Sequence, residues 1–242
     1  MTKNHVEIGP LIAIVGCDGS GKSTVCEDIL VLASTFGPAT LAHLGKQSGN
    51  VGRAIAKWPI IGAWVDRTIV RKTDSARAQR DKKKNPGLLT ALVISAFTLR
   101  RLRRFKRMLA QRRQGMIIIA DRYPQLDIPG AADGTVLSVN AESNGLVRWL
   151  ARRELAAYEW MTHYRPDLVI RLNVDLDVAC ARKPDHRREL LSEKMKTLPL
   201  LKFNGAPIVD VDANQPLADV LTAARAAVTH TLTARGYTSQ GI

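Results

Sequence analysis

Short, almost continuously apolar runs recur along the chain, and between them apolar positions return every three or four residues. The runs are Leu11 to Val15, Ala39 to Leu44, Met116 to Ala120, Leu168 to Asn173 and Pro207 to Val211, each bounded by Gly, Pro or Asp. Runs of this length without strict alternation suit strands buried on both faces, as in a parallel sheet. The helical period is carried by Lys22 to Thr35, Leu88 to Gln114, Leu146 to His163 and Pro216 to Ala234, with Gly236 as the stop of the last. Strands alternating with longer helices predict an α/β chain: a mainly parallel five-stranded sheet with helices on both faces, in three layers, as a single domain over residues 1–242. Two segments break the rhythm, Lys46 to Pro86 and Tyr123 to Asn144, which hold Gly, Pro, Trp and charge without a clear period. Long irregular insertions in a compact domain are where function and mobility concentrate.

Composition narrows the classes. With 242 residues and 45% hydrophobic content, the chain can bury one sizeable core. The longest uncharged apolar run, Leu88 to Leu99, falls short of the roughly 20 residues needed to cross a bilayer. Cys17, Cys26 and Cys180 are odd in number and lack metal-ligand spacing, which argues against a disulfide framework or a structural zinc and fits a reducing cytoplasm. The formal net charge is +14, and it is concentrated: fifteen Lys or Arg lie between Arg71 and Arg113 against Asp74 and Asp81. Such a field suits nucleotide phosphates, nucleic acid or an anionic membrane, and charge alone does not separate them.

Chemistry enters at Gly16-Cys-Asp-Gly-Ser-Gly-Lys-Ser23, a G-x-x-x-x-G-K-S sequence placed between the first strand and the first helix. That is the setting a P-loop (Walker A) requires. Gly16, Gly19 and Gly21 let the backbone wrap closely and turn N–H groups inward, with Asp18 and Ser20 between them, and the helix opening at Lys22-Ser-Thr24 adds the positive end of its dipole. Lys22 is expected to reach the β- and γ-phosphates of ATP, and Ser23 to ligate Mg²⁺. Met116-Ile-Ile-Ile-Ala-Asp121 has the form of a Walker-B strand, whose carboxylate holds Mg²⁺ or its waters opposite that serine.

Together with Asp121-Arg-Tyr123, Arg165-Pro-Asp-Leu-Val-Ile-Arg-Leu-Asn-Val174, the Arg-rich stretch Arg182 to Glu189 and Asp212-Ala-Asn-Gln-Pro216, these pieces resemble the thymidylate kinase family of P-loop nucleoside monophosphate kinases. The resemblance implies a P-loop NTPase fold with an Arg-rich lid at about 182–197 and, beyond the family pattern, a basic insertion at about 46–87. It implies that Asp18 faces the acceptor near the transferred phosphate, that Arg122 clamps the acceptor phosphate beside Tyr123, and that Arg101 binds the acceptor from the preceding helix. The bland alternative for Arg101 is a solvated basic face shared with Arg100, Arg103 and Arg104. Arg182, Arg187 and Arg188 match the lid that closes over ATP, and Ala213 and Asn214 match the loop lying against adenine.

The departures fall on the acceptor side. Leu44-Gly-Lys-Gln-Ser-Gly49 stands where the family has an Arg-Glu-Pro-Gly-Gly-Thr type segment, and Pro124 to Gly134 replaces its Ser residues and Tyr-Gln pair. Three functions remain open: a dTMP-type monophosphate kinase, a kinase of the same fold acting on another small acceptor such as a saccharide, and a nucleotide-dependent protein bound to anionic membrane or nucleic acid. An alcohol acceptor needs a base, with Asp18 first and Asp127 or Asp133 next. The partners expected are ATP and a small anionic acceptor; a homodimer and peripheral membrane contact are compatible with the sequence, and nucleic acid is disfavoured. His5, His43, His163, His186 and His230 show no ligand spacing.

Overall fold

The computed structural model describes residues 8–45 and 84–239. The elements follow as β1 (Leu11–Gly16), α1 (Lys22–Ser34), β2 (Ala39–His43), α2 (Leu88–Arg113), β3 (Ile117–Asp121), α3 (Gly145–Thr162), β4 (Leu168–Asn173), α4 (Leu176–Arg182), α5 (Arg188–Thr197), β5 (Ile208–Asp212) and α6 (Leu217–Ala234). The five strands are all parallel, in the order β2-β3-β1-β4-β5. Chain order reverses at β1, so the loop leaving its C-terminal end opens into the crevice where such sheets bind ligands. The expected three-layer α/β/α fold is present. Most of the basic insertion, including Trp58 and Trp64, lies outside the described residues.

The strands are continuously apolar because each face meets helices. On β1, Ile12 and Ile14 pack with Val25 and Ile29 of α1 and Val220 and Val228 of α6, whereas Leu11, Ala13 and Val15 pack with Phe105 and Met108 of α2 and Tyr158 of α3. Every one of these side chains is at most 5% exposed, so β1 is covered on both sides. At about 0.8 kcal/mol per buried methylene, this central strand is where the P-loop gets its rigid base.

Segment 123–144 has no regular element, as its composition predicts, yet it is tightly held. Gln125, 1% exposed, donates from Nε2 to the Ile128 and Ala131 carbonyls at 3.0 and 2.8 Å and accepts from the Ile128 N–H. The buried Glu154 carboxylate of α3 accepts from the N–H groups of Val136 and Leu137, the latter at 2.8 Å. Asn144 caps α3 by accepting from the Val147 N–H at 2.8 Å. The stretch expected as the lid, about 182–197, is mostly α5, and just before it lies α4, a seven-residue helix too short for periodicity to announce.

Candidate active site

The turn between β1 and α1 is shaped by backbone that only glycine suits. A Cβ on Gly16 would lie 2.4 Å from Ser20 Oγ and 3.0 Å from the Leu172 carbonyl oxygen, and one on Gly19, at φ +89°, would lie 2.8 Å from the Ala179 carbonyl oxygen. The loop therefore closes back on itself and presents N–H groups at the start of α1, where Ser23 and Thr24 are exposed. Ser20 Oγ and Asp121 Oδ1 are buried with no hydrogen-bond partner among the described residues.

Lys22, 7% exposed, folds its ammonium onto the carbonyl oxygen of Cys17 in its own loop. Burial, and then the nearby Arg122 cation, lower its pKa to about 8 against the pull of Asp18, Cys17 and Asp121. The sign has a measurable consequence. In the free protein Lys22 loses its proton as pH rises through about 8, while a bound polyphosphate favours the charged form. ATP binding is expected to take up protons at pH 8.5 and hardly any at pH 6.5, seen as a buffer-dependent heat in calorimetry at the higher pH alone. A heat independent of buffer at pH 8.5 would show that Lys22 does not meet the phosphates.

Behind the loop lies a cluster that the sequence pieces did not display as a unit. Arg122 leaves β3 at φ 68°, a strained conformation for a bulky residue, and its guanidinium reaches Asp18 at 2.7 Å and Asp133 at 3.7 Å. Asp18 also accepts from Lys194 of α5, and His186 Nε2 stands 4.0 Å away. Burial alone would raise the Asp18 pKa, but Lys194, Arg122 and Lys22 hold the carboxyl far below the usual carboxylate range. Of these groups Arg122, Asp133 and Lys194, with Tyr123, Leu198, Leu201 and Phe203, line a small cavity of about 30 Å³ beside Gly16 and Cys17.

Several expected roles change. Arg101 is neither ligand-facing nor a solvated basic residue: it is 1% exposed and donates to Tyr158 OH and the Asp133 carbonyl at 3.0 Å each, and to Asp133 Oδ1 at 2.9 Å. It is packed between α2 and α3, where it fixes the carboxylate that meets Arg122. Arg101→Leu is expected to cost about 3 kcal/mol in chemical denaturation, because Asp133 loses its buried partner; a change below about 1 kcal/mol would show that this pair is dispensable. Tyr123 is 2% exposed and donates its hydroxyl to the Tyr164 carbonyl, so its polar end is spent in the core and only its ring borders the cavity.

In the lid, Arg187 pairs with Glu189 at 3.9 Å and Arg188 with Asp177 at 2.7 Å, both out in solvent. Arg182 does reach the site: its Nη1 donates to the carbonyls of Gly19 at 3.3 Å and Ala213 at 3.1 Å. The phase of α5 explains the exchange, since Leu191 and Lys194 lie on its inner side, continued by the buried Leu198 just past its end, while its first residues turn outward. Lys194 was thus legible as the cation within an apolar stripe. Asn214 spends its side chain on the Asp175 N–H and on Asp212, and Ala213 is buried, which leaves backbone as the surface this loop presents.

Two further residues escaped the sequence. His43, paired in register with Asp121 across β2 and β3, places Nδ1 3.4 Å from Asp121 Oδ2. Arg171, a charge inside the apolar β4 run, pairs with Asp210 at 2.6 Å and donates to the Pro199 carbonyl at 3.0 Å, anchoring the segment after α5. All three cysteines are free, and burial pushes the Cys26 thiol up to about 12, which suits an inert core residue.

A glycine cradle at the end of a central parallel strand, a buried lysine inside it, a carboxylate ending the neighbouring strand and a cationic lid define a P-loop ATP-binding protein of the kinase type. Comparison with known proteins agrees: the chain belongs to the family of the ATP-binding proteins YghS and YghR of Escherichia coli. It is 40% identical to YghS over 219 residues, 90% of this chain and 92% of that protein, and 35% identical to YghR, covering 90% and 86%. It is also 31% identical over 174 residues to a protein named as a probable thymidylate kinase from Pyrobaculum aerophilum, covering 71% of this chain and 68% of that one. Among solved structures, a deoxyadenosine kinase from M. mycoides with bound dCTP superimposes with a TM-score of 0.48 at 14% identity, over 92% of this chain and 98% of that one. No protein-family model matches the chain.

Proposed function

We propose that this protein is an ATP- and Mg²⁺-dependent kinase that transfers the γ-phosphoryl group to a small phosphate-bearing acceptor, with a nucleoside monophosphate of the dTMP type as the first candidate. The observation that carries this reading is the engagement of Asp18, Asp133 and Asp127, the three carboxylates that the sequence offers as a base for an alcohol acceptor. Asp18 is ion-paired with Arg122 and Lys194, and Asp133 with Arg101 and Arg122. Asp127 spends Oδ2 on the N–H groups of Lys202 and Phe203 at 2.8 and 3.0 Å. Asp18, held far below the usual carboxylate range by its cations, is a weak general base, and the other two already spend their oxygens on cations or backbone N–H groups. An acceptor phosphate oxygen is already ionised at neutral pH and attacks without one.

In the step, that oxygen bonds to the γ-phosphorus as the bond to the β–γ bridging oxygen breaks, and ADP leaves with the electron pair. Lys22 neutralises the β- and γ-oxygens, and Arg122 holds the acceptor phosphate after exchanging part of its contact with Asp18. Lys194 and Arg182 are the lid cations already at the loop, and Arg187 and Arg188 join them only if the lid moves. Mg²⁺ fits the residues present: Ser23 and Asp121 would hold it, and the unpartnered Asp121 Oδ1 is the oxygen it or its water would satisfy. When bound, the ion would offset the negative charge of the phosphates. Kinship with a probable thymidylate kinase supports the acceptor class, and three free thiols suit a reducing cytoplasm.

The test is ADP release from Mg-ATP with the purified chain, across nucleoside monophosphates and saccharides. Saturable turnover with one or more monophosphates is expected. Turnover on saccharides with none on monophosphates would replace the acceptor class.

A further inference from the structure

The helix pair α2 and α3 lies on the sheet, and its outer side, which no other described element covers, carries a pattern the active site does not use. On α2, Leu92, Leu99, Arg103 and Lys106 are exposed and spaced so that they follow one stripe along the helix; Leu89 adjoins its start. On α3, Leu146, Trp149, Arg153 and Trp160 are likewise exposed at helical spacing. The helices run side by side in the same direction, since Ala91 and Ile94 pack with Val147 and Leu150, and further along Phe105 meets Trp160 edge-on at 5.8 Å. Lys106 lies over the Trp160 ring at 5.8 Å, which joins the two stripes into one face.

Its composition is unusual for a solvated surface. Leu89 is 59% exposed, Leu92 46%, Leu99 47%, Leu146 50% and Trp149 51%, so the apolar side chains are concentrated at the N-terminal halves of both helices. Cations interleave with them: Arg153 lies over the Trp149 ring at 5.2 Å, Arg100, Arg103 and Arg107 are exposed on α2, and Arg148 and Arg152 are exposed on α3. Helix α2 contains no carboxylate at all, and on α3 the exposed one is Glu159, at the far end beside Trp160.

We propose that this face docks the protein on an anionic lipid surface, with the leucines and Trp149 seated at the headgroup and acyl boundary and the arginines paired with lipid phosphates. Charge complementarity selects this occupant. A second copy meeting the same face would bring Arg103, Lys106 and Arg153 against their own like charges. Nucleic acid would satisfy the arginines but leave the leucines of α2 without apolar cover. An anionic bilayer interface satisfies both sets at once, and tryptophan flanked by cations is the side chain that interface favours. Among the described residues no helix is long and apolar enough to cross the membrane, so the contact is peripheral.

The experiment is co-sedimentation of the full chain with vesicles of phosphatidylcholine alone or with about a third phosphatidylglycerol, in low and moderate salt. Binding to the anionic vesicles only, weakened by salt but retained in part, is expected, with a blue shift of tryptophan emission that Trp149→Phe diminishes. The triple variant Leu89→Glu, Leu92→Glu, Trp149→Glu should lower partitioning at least about tenfold while its thermal midpoint and ADP release stay unchanged, since all three side chains are exposed and none makes a contact within the site. Arg103→Ala with Arg107→Ala provides a second, milder variant whose loss should vanish at high salt. Absence of binding, equal binding of the triple variant, displacement by a short DNA duplex, or a sedimentation-velocity dimer that the triple variant dissolves without any vesicle binding would each overturn the proposal.

Discussion

Lys22→Ala is expected to lower phosphoryl transfer at least about 10³-fold, on the order of 4 kcal/mol of transition-state stabilisation, without lowering the thermal midpoint. The first half follows from position. Lys22 is the one lysine inside the glycine cradle, and its ammonium rests on the Cys17 carbonyl, a contact it surrenders when the stronger charge of a β- or γ-phosphate arrives. The second half follows from burial. At 7% exposure the side chain is more enclosed than a phosphate-seeking lysine needs to be, and a pKa lowered to about 8 says that its charge is unwelcome there when the loop holds no phosphate. Removing it relieves that cost, and Asp18 keeps Arg122 and Lys194 as partners. ADP release and a melting curve on the same preparation check both halves; turnover within about tenfold of the parent would remove Lys22 from the donor site.

Arg122→Ala is expected to act on the other substrate. Its guanidinium sits between Asp18 and Asp133 at the edge of the cavity behind the loop, held charged by both carboxylates although burial opposes this. An acceptor phosphate competes with Asp18 for it. The variant should lose about 10²- to 10³-fold in kcat/KM for the acceptor, roughly 3 to 4 kcal/mol, while the Kd for ATP shifts less than about threefold. Arg122→Lys should recover only part, because a point charge cannot reproduce a planar fork shared between two oxygens. Alanine keeps the φ of 68° as strained as arginine does, so the backbone has no reason to relax. An effect confined to ATP affinity would put Arg122 on the donor side.

The assembly of these groups explains why some side chains take roles other than those their sequence neighbours suggest. Arg101 sits among Arg100, Arg103 and Arg104 in a basic helix, and nothing in that run distinguishes it. Only the packing of α2 against α3 turns it inward onto Tyr158 and Asp133. Arg187 and Arg188 carry the lid motif, yet the phase of α5 points Lys194 to the loop instead. Asp18 is 176 residues from Lys194 and 104 from Arg122, separations across which no pattern in the chain reports a contact.

What the sequence determined by itself was whatever depends on near neighbours: the runs that became the five strands, the helices of long period, and the glycine turn whose conformation only residues without a Cβ adopt. These are set by sterics and by periodic burial, which act over a few residues. The tertiary structure decided which charges meet, because ion pairs and buried hydrogen bonds form between surfaces that folding brings together. It thereby made Lys194 and Asp133 part of the site, withdrew Arg101 and Tyr123 into the core, and left a leucine and tryptophan face with its arginines turned outward.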